Sequence, residues 1–207
     1  MLELHIFDFD GTLFNSPTDT AENHQKYEQL TGIPWLISEE KSVELTQKYG
    51  KTITPRTGWW GKPETLEPPL VPDPAPIDWF NKEVVDDLNK SKNNPKALTL
   101  ILTGRHSGLK KQVIRICKDG NLLDGIVQVY CMGEKGPSPQ GKIPNKTLPW
   151  KLWIVEQHLR LNPLVSKIIF WEDRDDHVDH FNSLKDSMSQ EIIVNHIKNQ
   201  AIYCINY

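Results

Sequence analysis

Two aspartates one residue apart stand near the start of the chain, directly after an apolar run. Residues 4–7 form the run, and Asp8, Asp10, Gly11 and Thr12 follow it closely. Such a run is typical of a short buried strand, on which side chains two apart share a face. At the carboxyl end of that strand, where open α/β sheets bind ligands, two carboxylates need a cation or a shared proton to coexist. Mg²⁺ with a phosphate meets that need, whereas an Asp-rich turn without chemistry is the structural alternative.

A second apolar run, over residues 97–102, ends in Thr103, Gly104 and Arg105. The run predicts another buried strand. A hydroxyl and free backbone N–H groups at a strand end suit a phosphate oxygen, and the planar arginine fork suits oxyanions. A simple surface turn is the alternative for this segment taken alone.

A third candidate group follows the apolar run over residues 166–171, which also predicts a strand. Glu172, Asp173 and Arg174 come directly after it, and His177 lies one helical turn beyond Asp173. Clustered carboxylates at a strand end offer the oxygen ligands that a hard cation prefers. His177 is either a histidine on a helix surface or a side chain that contacts the substrate or the acidic pair.

The elements that must position these residues alternate between strand and helix. We predict helices at 21–30, 39–49, 77–90, 107–118, 147–161 and 175–186, with a further strand at 126–132. Alternation at this spacing indicates an α/β fold with a parallel central sheet and helices on both faces. The end of the chain is ambiguous, since 191–197 and 201–205 form either a hairpin or a single fifth strand preceded by a helix.

A segment rich in tryptophan and proline, residues 51–77, differs from the rest. Its proline density forbids a regular helix or a central strand. Trp59 and Trp60 either anchor a rigid surface loop or belong to a lid whose rings stack on a base or sugar. We predict a single domain over 1–207, with a small cap or insertion region over 15–95.

Composition excludes several classes of protein. The net charge is −3, so no global basic field draws the chain to nucleic acid. The three scattered cysteines favour buried thiols in a reducing, cytoplasmic compartment over a disulfide framework or a zinc site. The apolar start carries acids and is no signal peptide, and no run is long enough to span a membrane.

The Asp8-to-Thr12 stretch resembles motif I, DxDGT, of the haloacid dehalogenase (HAD) superfamily of phosphotransferases. The resemblance implies a Rossmann-like, three-layer fold. It also implies that Asp8 is the nucleophile that becomes an aspartyl-phosphate. Asp10 would be the general acid and base, and its backbone carbonyl would bind Mg²⁺.

The other superfamily motifs are similar to segments found in the same order. The Thr103 segment resembles motif II, which implies phosphate binding by Thr103, Gly104 and Arg105. Motif III is a lysine near a helix start, and Lys151 fits it better than Lys142 or Lys146 because an apolar helical face follows. The resemblance of residues 172–173 to motif IV implies that Asp173 binds the metal together with Asp8 and Asp10. Glu172 would support it or replace it.

A narrower resemblance is to the Swiss Army Knife RNA-repair-like HAD domains, through Gly58-Trp59-Trp60, Leu102–Arg105 and Glu172-Asp173-Arg174 with His177 and Phe181. It implies phosphatase action on phosphorylated RNA or DNA ends, with Arg174, His177, Trp59 and Trp60 as candidate contacts of the metal ligands or substrate. A HAD phosphatase of small metabolites or nucleotides is the first alternative. A binding module without catalysis on the same scaffold is the second, and nucleic-acid binding without chemistry is disfavoured by the acidic composition.

Overall fold

The computed structural model describes residues 2–123 and 126–198 and divides them into two compact units. One unit is Ser16–Asp73. The other, the sheet unit, contains residues 2–15 and the described residues from 74 onward. The predicted insertion ran from 15 to 95, whereas residues 74–95 belong with the sheet. Whether the whole chain is one domain stays a prediction.

Among the described residues, five strands form one parallel sheet. They are β1 (Leu2–Phe7), β2 (Ala97–His106), β3 (Gln128–Met132), β4 (Val165–Glu172) and β5 (Glu191–His196), in the spatial order β3-β2-β1-β4-β5. The prediction of a parallel sheet is confirmed, with the buried first strand at its centre. At the ambiguous end, Glu191–His196 is a fifth strand that pairs in parallel with β4, and 201–205 lies outside the described residues.

Six helices are present in the described part of the chain: α1 (Ala21–Thr31), α2 (Glu39–Tyr49), α3 (Lys82–Lys92), α4 (Lys110–Asp119), α5 (Thr147–Leu161) and α6 (Asp175–Ser183). None of them combines the length and apolar character needed to cross a bilayer. Three predicted ends were wrong. Ile77–Trp79 and Ser107–Leu109 are single 3₁₀ turns before α3 and α4, and another, Leu184–Asp186, follows α6.

Helices cover both faces of the sheet, as predicted. On one face, Leu4 and Ile6 of β1 join a buried cluster with Ile154 of α5 and Phe181 of α6. On the opposite face, the hydroxyl groups of Ser91 in α3 and Thr99 in β2 are hydrogen-bonded at 2.6 Å. The result is the three-layer arrangement of a doubly wound fold.

The unit Ser16–Asp73 is built around an aromatic cluster. The Trp59 ring is buried, stacks on His24 at 5.3 Å between ring centroids, and packs on Trp35 at 4.4 Å. Its indole N–H donates to the Pro17 carbonyl at 2.8 Å. These contacts favour the anchoring interpretation of the Trp/Pro-rich segment and correct the hypothesis that the Trp59 ring stacks on substrate. Trp60, by contrast, is 47% exposed.

Candidate active site

The central strand ends one residue before the first aspartate. β1 stops at Phe7, and the backbone N–H of Asp8 still donates to the Trp171 carbonyl of β4 at 2.9 Å. A tight turn follows, in which Gly11 has φ +74°, a conformation that glycine adopts without steric cost. The strand does not continue to Asp10, so the two carboxylates reach different partners.

Lys151 joins the ends of β1 and β4. Its ammonium donates to Asp8 Oδ1 at 2.6 Å and to Glu172 Oε2 at 2.7 Å. All three side chains are buried. An ammonium is removed from water at high cost unless it is paired, so the two carboxylates account for a buried lysine here.

The Lys151 ammonium comes from a residue near the start of α5. Trp150 and Ile154 are fully buried on either side of Lys151, and the Trp150 indole N–H donates to the Glu134 carbonyl at 3.1 Å, just beyond β3. The start of α5 is therefore tied to the carboxyl edge of the sheet. This placement favours Lys151 over Lys142 and Lys146.

Three carboxylates gather at this edge. Asp8, Glu172 and Asp173 each offer an oxygen within 4.8 Å of the others. Glu172 Oε1 is buried and has no hydrogen-bond partner among the described residues. Carboxylate oxygens are the donors that Mg²⁺ prefers, and an orphaned carboxylate oxygen beside two other acids fits a cation. The Asp10 carboxylate is not in this cluster, whereas Glu172, expected to be the weaker candidate, is.

The crowding of charge shifts the pKa values of these acids in opposite directions. Burial and the neighbouring Glu172 charge raise the pKa of Asp8 well above its usual value. The same two causes raise the pKa of Asp173 to about 6. Burial also opposes ionisation of Glu172, but Lys151 and His177 outweigh it and lower its pKa to about 2. The pKa of Lys151 is raised because Asp8 and Glu172 together outweigh the effect of its burial.

Asp10 is held by an arginine instead. Arg105 Nε lies 3.0 Å from both carboxylate oxygens of Asp10, and Nη2 lies 2.7 Å from Oδ1. The Thr103 hydroxyl also donates to Asp10 Oδ2 at 3.3 Å. The β2–β3 register shifts between Thr103 and His106, and irregularities of this kind re-aim side chains. The ion pair between Arg105 and Asp10 thus joins the predicted group that follows β1 to the predicted group at the end of β2.

Gly104 leaves room for the start of α5. A Cβ added there would lie 3.0 Å from Thr147 Cγ2, the side chain of the first residue of α5. The absence of a side chain at Gly104 lets α5 approach β2 closely. Phosphate binding by the Gly104 backbone stays a prediction.

His177 and Arg174 have different surroundings. His177 is 1% exposed, and its Nδ1 lies 3.1 Å from Glu172 Oε2. The surface interpretation of His177 was therefore wrong, and the histidine contacts the acidic pair. Arg174 is exposed and donates to both carboxylate oxygens of Asp176 at 3.1 and 2.8 Å.

The burial of His177 was detectable in the sequence. In α6 the buried residues are His177, Val178 and Phe181, which is the spacing of one helical face. The histidine stands on the apolar face of the helix, so its ring was bound to point inward.

Comparison with known proteins gives a distant relative and several solved structures. "Uncharacterized protein YMR265C" of Saccharomyces cerevisiae is 22% identical over 199 residues, covering 90% of this chain and 37% of its own length. The chain thus spans little more than a third of that relative.

The similar solved structures share little sequence with this chain. The HAD domain of the effector protein Lem4 (lpg1101) from Legionella pneumophila is 12% identical, covers 96% of this chain and 88% of its own, and has a TM-score of 0.49. The Legionella pneumophila effector Ceg4 is 16% identical, with coverages of 98% and 89% and a TM-score of 0.47. A chain of the Pnkp1/Rnl/Hen1 RNA repair complex is 12% identical, with coverages of 96% and 44% and a TM-score of 0.42. At these values the neighbours carry no functional argument.

A family comparison is more informative. The sequence model of "HAD domain family 1 in Swiss Army Knife RNA repair proteins" matches residues 40–205, well over half of the chain. The matched range contains Thr103, Lys151 and Glu172. Asp8 and Asp10 precede it, and the geometry brings them to the same site. The match supports phosphatase-like hydrolase chemistry in general terms, and the chain belongs to the HAD domain family of the Swiss Army Knife RNA repair proteins.

Proposed function

We propose that this protein is a Mg²⁺-dependent phosphatase that works through an aspartyl-phosphate on Asp8. The observation that carries the proposal is the buried bridge from Asp8 through Lys151 to Glu172, beside the Asp173 carboxylate. An ammonium in contact with the nucleophile offsets charge on a phosphoryl group that the nucleophile attacks.

The residues act in two steps. In the first, a carboxylate oxygen of Asp8 forms a bond to phosphorus as the bond to the leaving oxygen breaks, and Asp10 donates a proton to that oxygen. In the second, water attacks the aspartyl-phosphate, Asp10 takes the proton from water, and the Asp8 carboxylate is restored with release of inorganic phosphate.

Asp8, Asp173 and the backbone carbonyl of Asp10 would hold Mg²⁺, with Glu172 beside them. When bound, Mg²⁺ supplies positive charge that neutralises phosphoryl oxygens. It would also favour the ionised form of Asp8, which burial alone disfavours.

Arg105 has a place in the first step. Its guanidinium is paired with the Asp10 carboxylate. This ion pair must therefore open, and Asp10 must take up a proton from solvent, before Asp10 can donate one to the leaving oxygen. A substrate phosphate competes for the same fork of N–H donors. We therefore assign Arg105, with the Thr103 hydroxyl, to binding the phosphate and releasing Asp10.

For the substrate we propose a phosphorylated RNA or DNA end, which family membership supports. A small phosphorylated metabolite is the alternative. The discriminating experiment is a substrate panel with Mg²⁺: oligonucleotides with 3′-phosphate or 5′-phosphate ends, mononucleotides and sugar phosphates. Preference for a sugar phosphate would defeat the nucleic-acid assignment and leave the phosphatase assignment standing.

The Asp8→Asn variant tests the nucleophile. An amide is a poor nucleophile for phosphorus, so we expect turnover to fall by at least about 10³-fold, the scale of losing an essential catalytic group. The melting temperature should not fall, because Asn relieves charge repulsion with Glu172. Phosphate release and thermal unfolding give the two readouts. Activity close to wild type in a folded Asp8→Asn protein would disprove the assignment, and the exposed Asp176→Asn change is the control.

A further inference from the structure

One buried histidine at the candidate active site has no part in the two chemical steps proposed above. His177 of α6 is 1% exposed, and its Nδ1 lies 3.1 Å from Glu172 Oε2. The side chain is enclosed by protein, so a substrate does not reach it. Any effect of His177 on the reaction must therefore pass through Glu172.

The imidazole ring of His177 is held in place by packing between α6 and β4. Phe181 follows His177 by one turn on the same face of α6, with 6.1 Å between the ring centroids. Phe181 stacks in turn on Phe170 of β4 at 4.1 Å, with 10° between the ring planes. Phe170 and Glu172 are two residues apart in β4, so their side chains share a face of the strand. The aromatic stack thus sets the position of α6 at which His177 meets Glu172.

Glu172 Oε2 lies between two nitrogen atoms in a continuous row of contacts. His177 approaches this oxygen from α6, and the Lys151 ammonium donates to it from α5 at 2.7 Å. The same ammonium donates to Asp8 Oδ1 at 2.6 Å. A carboxylate oxygen only accepts, so the proton between the ring and the acid belongs to His177 Nδ1. The row runs from His177 through Glu172 and Lys151 to the proposed nucleophile.

The second partner of Glu172 affects where the Lys151 ammonium lies. Although burial opposes ionisation of Glu172, Lys151 and His177 lower its pKa to about 2, so both nitrogen atoms stabilise the same negative charge. Without the histidine, Lys151 alone would face that charge in buried surroundings that screen it poorly. The ammonium would then be drawn towards Glu172 and away from Asp8.

We propose that His177 is a positioning residue, which acts through Glu172 to keep the Lys151 ammonium against Asp8. The assignment rests on the proposed function, because the ammonium matters to phosphoryl transfer only if Asp8 is the nucleophile. His177 contacts neither substrate nor nucleophile, so its removal should slow the chemical step and leave substrate binding nearly unchanged.

Replacement of His177 by Leu, Gln and Asn tests the proposal. The Asn amide nitrogen takes the place of Nδ1, the Gln amide nitrogen takes the place of Nε2, and Leu donates nothing. With p-nitrophenyl phosphate and Mg²⁺, we expect kcat to fall about 10–100-fold in His177→Leu and His177→Gln, the usual effect of losing a group that orients a site residue. KM should change little, and His177→Asn should recover most of kcat. His180→Leu, at an exposed position of the same helix, is the control and should keep the wild-type kcat.

A stability measurement without metal or substrate keeps the test independent of turnover. His177→Leu should lower the urea midpoint less in a Glu172→Gln background than in wild type, because the charge that His177 stabilises is then absent. His180→Leu should have the same effect in both backgrounds.

The outcomes separate this proposal from the proposed function. Wild-type kcat in His177→Leu, equal kcat in the Leu and Asn variants, or a rise in KM alone would overturn the positioning role. If His177→Leu does not fold, the comparison of the Asn and Gln variants decides it. If the wild-type protein releases no phosphate, the phosphatase assignment fails, and the urea comparison decides whether His177 acts on Glu172. Equal decreases of the midpoint in both backgrounds would show that it does not.

Discussion

At the scale of single residues, the site depends on one ammonium among three acids. Lys151 contacts Asp8 and Glu172, and Asp173 lies close by. Buried like charges destabilise a fold unless a counter-charge is fixed among them. Lys151 therefore has a structural role in addition to the catalytic role that we propose.

Lys151→Met keeps the apolar stem and removes the charge, leaving buried carboxylates without their partner. We expect a loss of about 3–5 kcal/mol in the free energy of unfolding, the usual cost of breaking a buried ion pair from one side. Urea denaturation without divalent metal measures it. Lys41→Met removes an exposed ammonium that pairs with Glu44 and should cost at most about 1 kcal/mol. Equal losses in the two variants would contradict a structural role for Lys151.

His158 of α5 gives a prediction about pH. It is buried, and burial lowers its pKa below the ordinary value of 6.5. As pH falls below 6.5, the unfolded chain binds a proton that the folded chain does not, so the free energy of unfolding decreases. Urea denaturation at about pH 8 and pH 5 should show a smaller decrease for His158→Leu than for wild type. The same change at exposed His180 is the control and should leave the pH dependence as it is in wild type.

The sequence predicted which residues form the site better than it predicted which contacts those residues make. Asp8, Lys151 and Asp173 were assigned by order and type and are found together. The sequence does not predict the pairing of Asp10 with Arg105, because that pairing depends on the register shift between β2 and β3. No local sequence pattern indicates this shift. The role of Glu172 is missed for a similar reason, since the groups against its Oε2, Lys151 and His177, come from α5 and α6.

At the scale of elements, strands and helix starts position the chemistry. Apolar periodicity located the strands well. The predicted starts of α3 and α4 came several residues too early because single 3₁₀ turns precede both helices. A 3₁₀ turn and the first turn of an α-helix accept the same residues, so sequence alone does not separate them.

The end of α4 tests packing at this scale. Gly120 has φ −81°, which alanine also adopts, but a Cβ there would clash with the Phe80 ring. Gly120→Ala should therefore destabilise the protein by about 1–3 kcal/mol through overpacking. Gly61→Ala is the matched control, since no atom lies within 4 Å of the added Cβ. If urea midpoints for the two variants agree, the clash is relieved without cost.

At the scale of the whole molecule, global unfolding should report on the acidic cluster. A ligand of the folded state alone stabilises it, by about 2.7 kcal/mol at 100 times Kd. For a chain of this size we expect Mg²⁺ at that level to raise the melting temperature by about 5–10 °C. Asp173→Asn should abolish most of the rise, whereas Asp176→Asn, outside the cluster, should keep it. A rise that survives in Asp173→Asn would remove Asp173 from the metal site.

The order of the strands has a consequence for how the protein is made. β1 lies at the centre of the sheet, yet Asp10 meets Arg105 95 residues later and Asp8 meets Lys151 143 residues later. On the ribosome, the apolar strand β1 emerges before either of its sheet neighbours, β2 and β4, has been translated. Such long-range pairing is slow and leaves unpaired strands open to aggregation. Recombinant yield should therefore respond to growth temperature and chaperone supply more strongly than the finished fold would suggest.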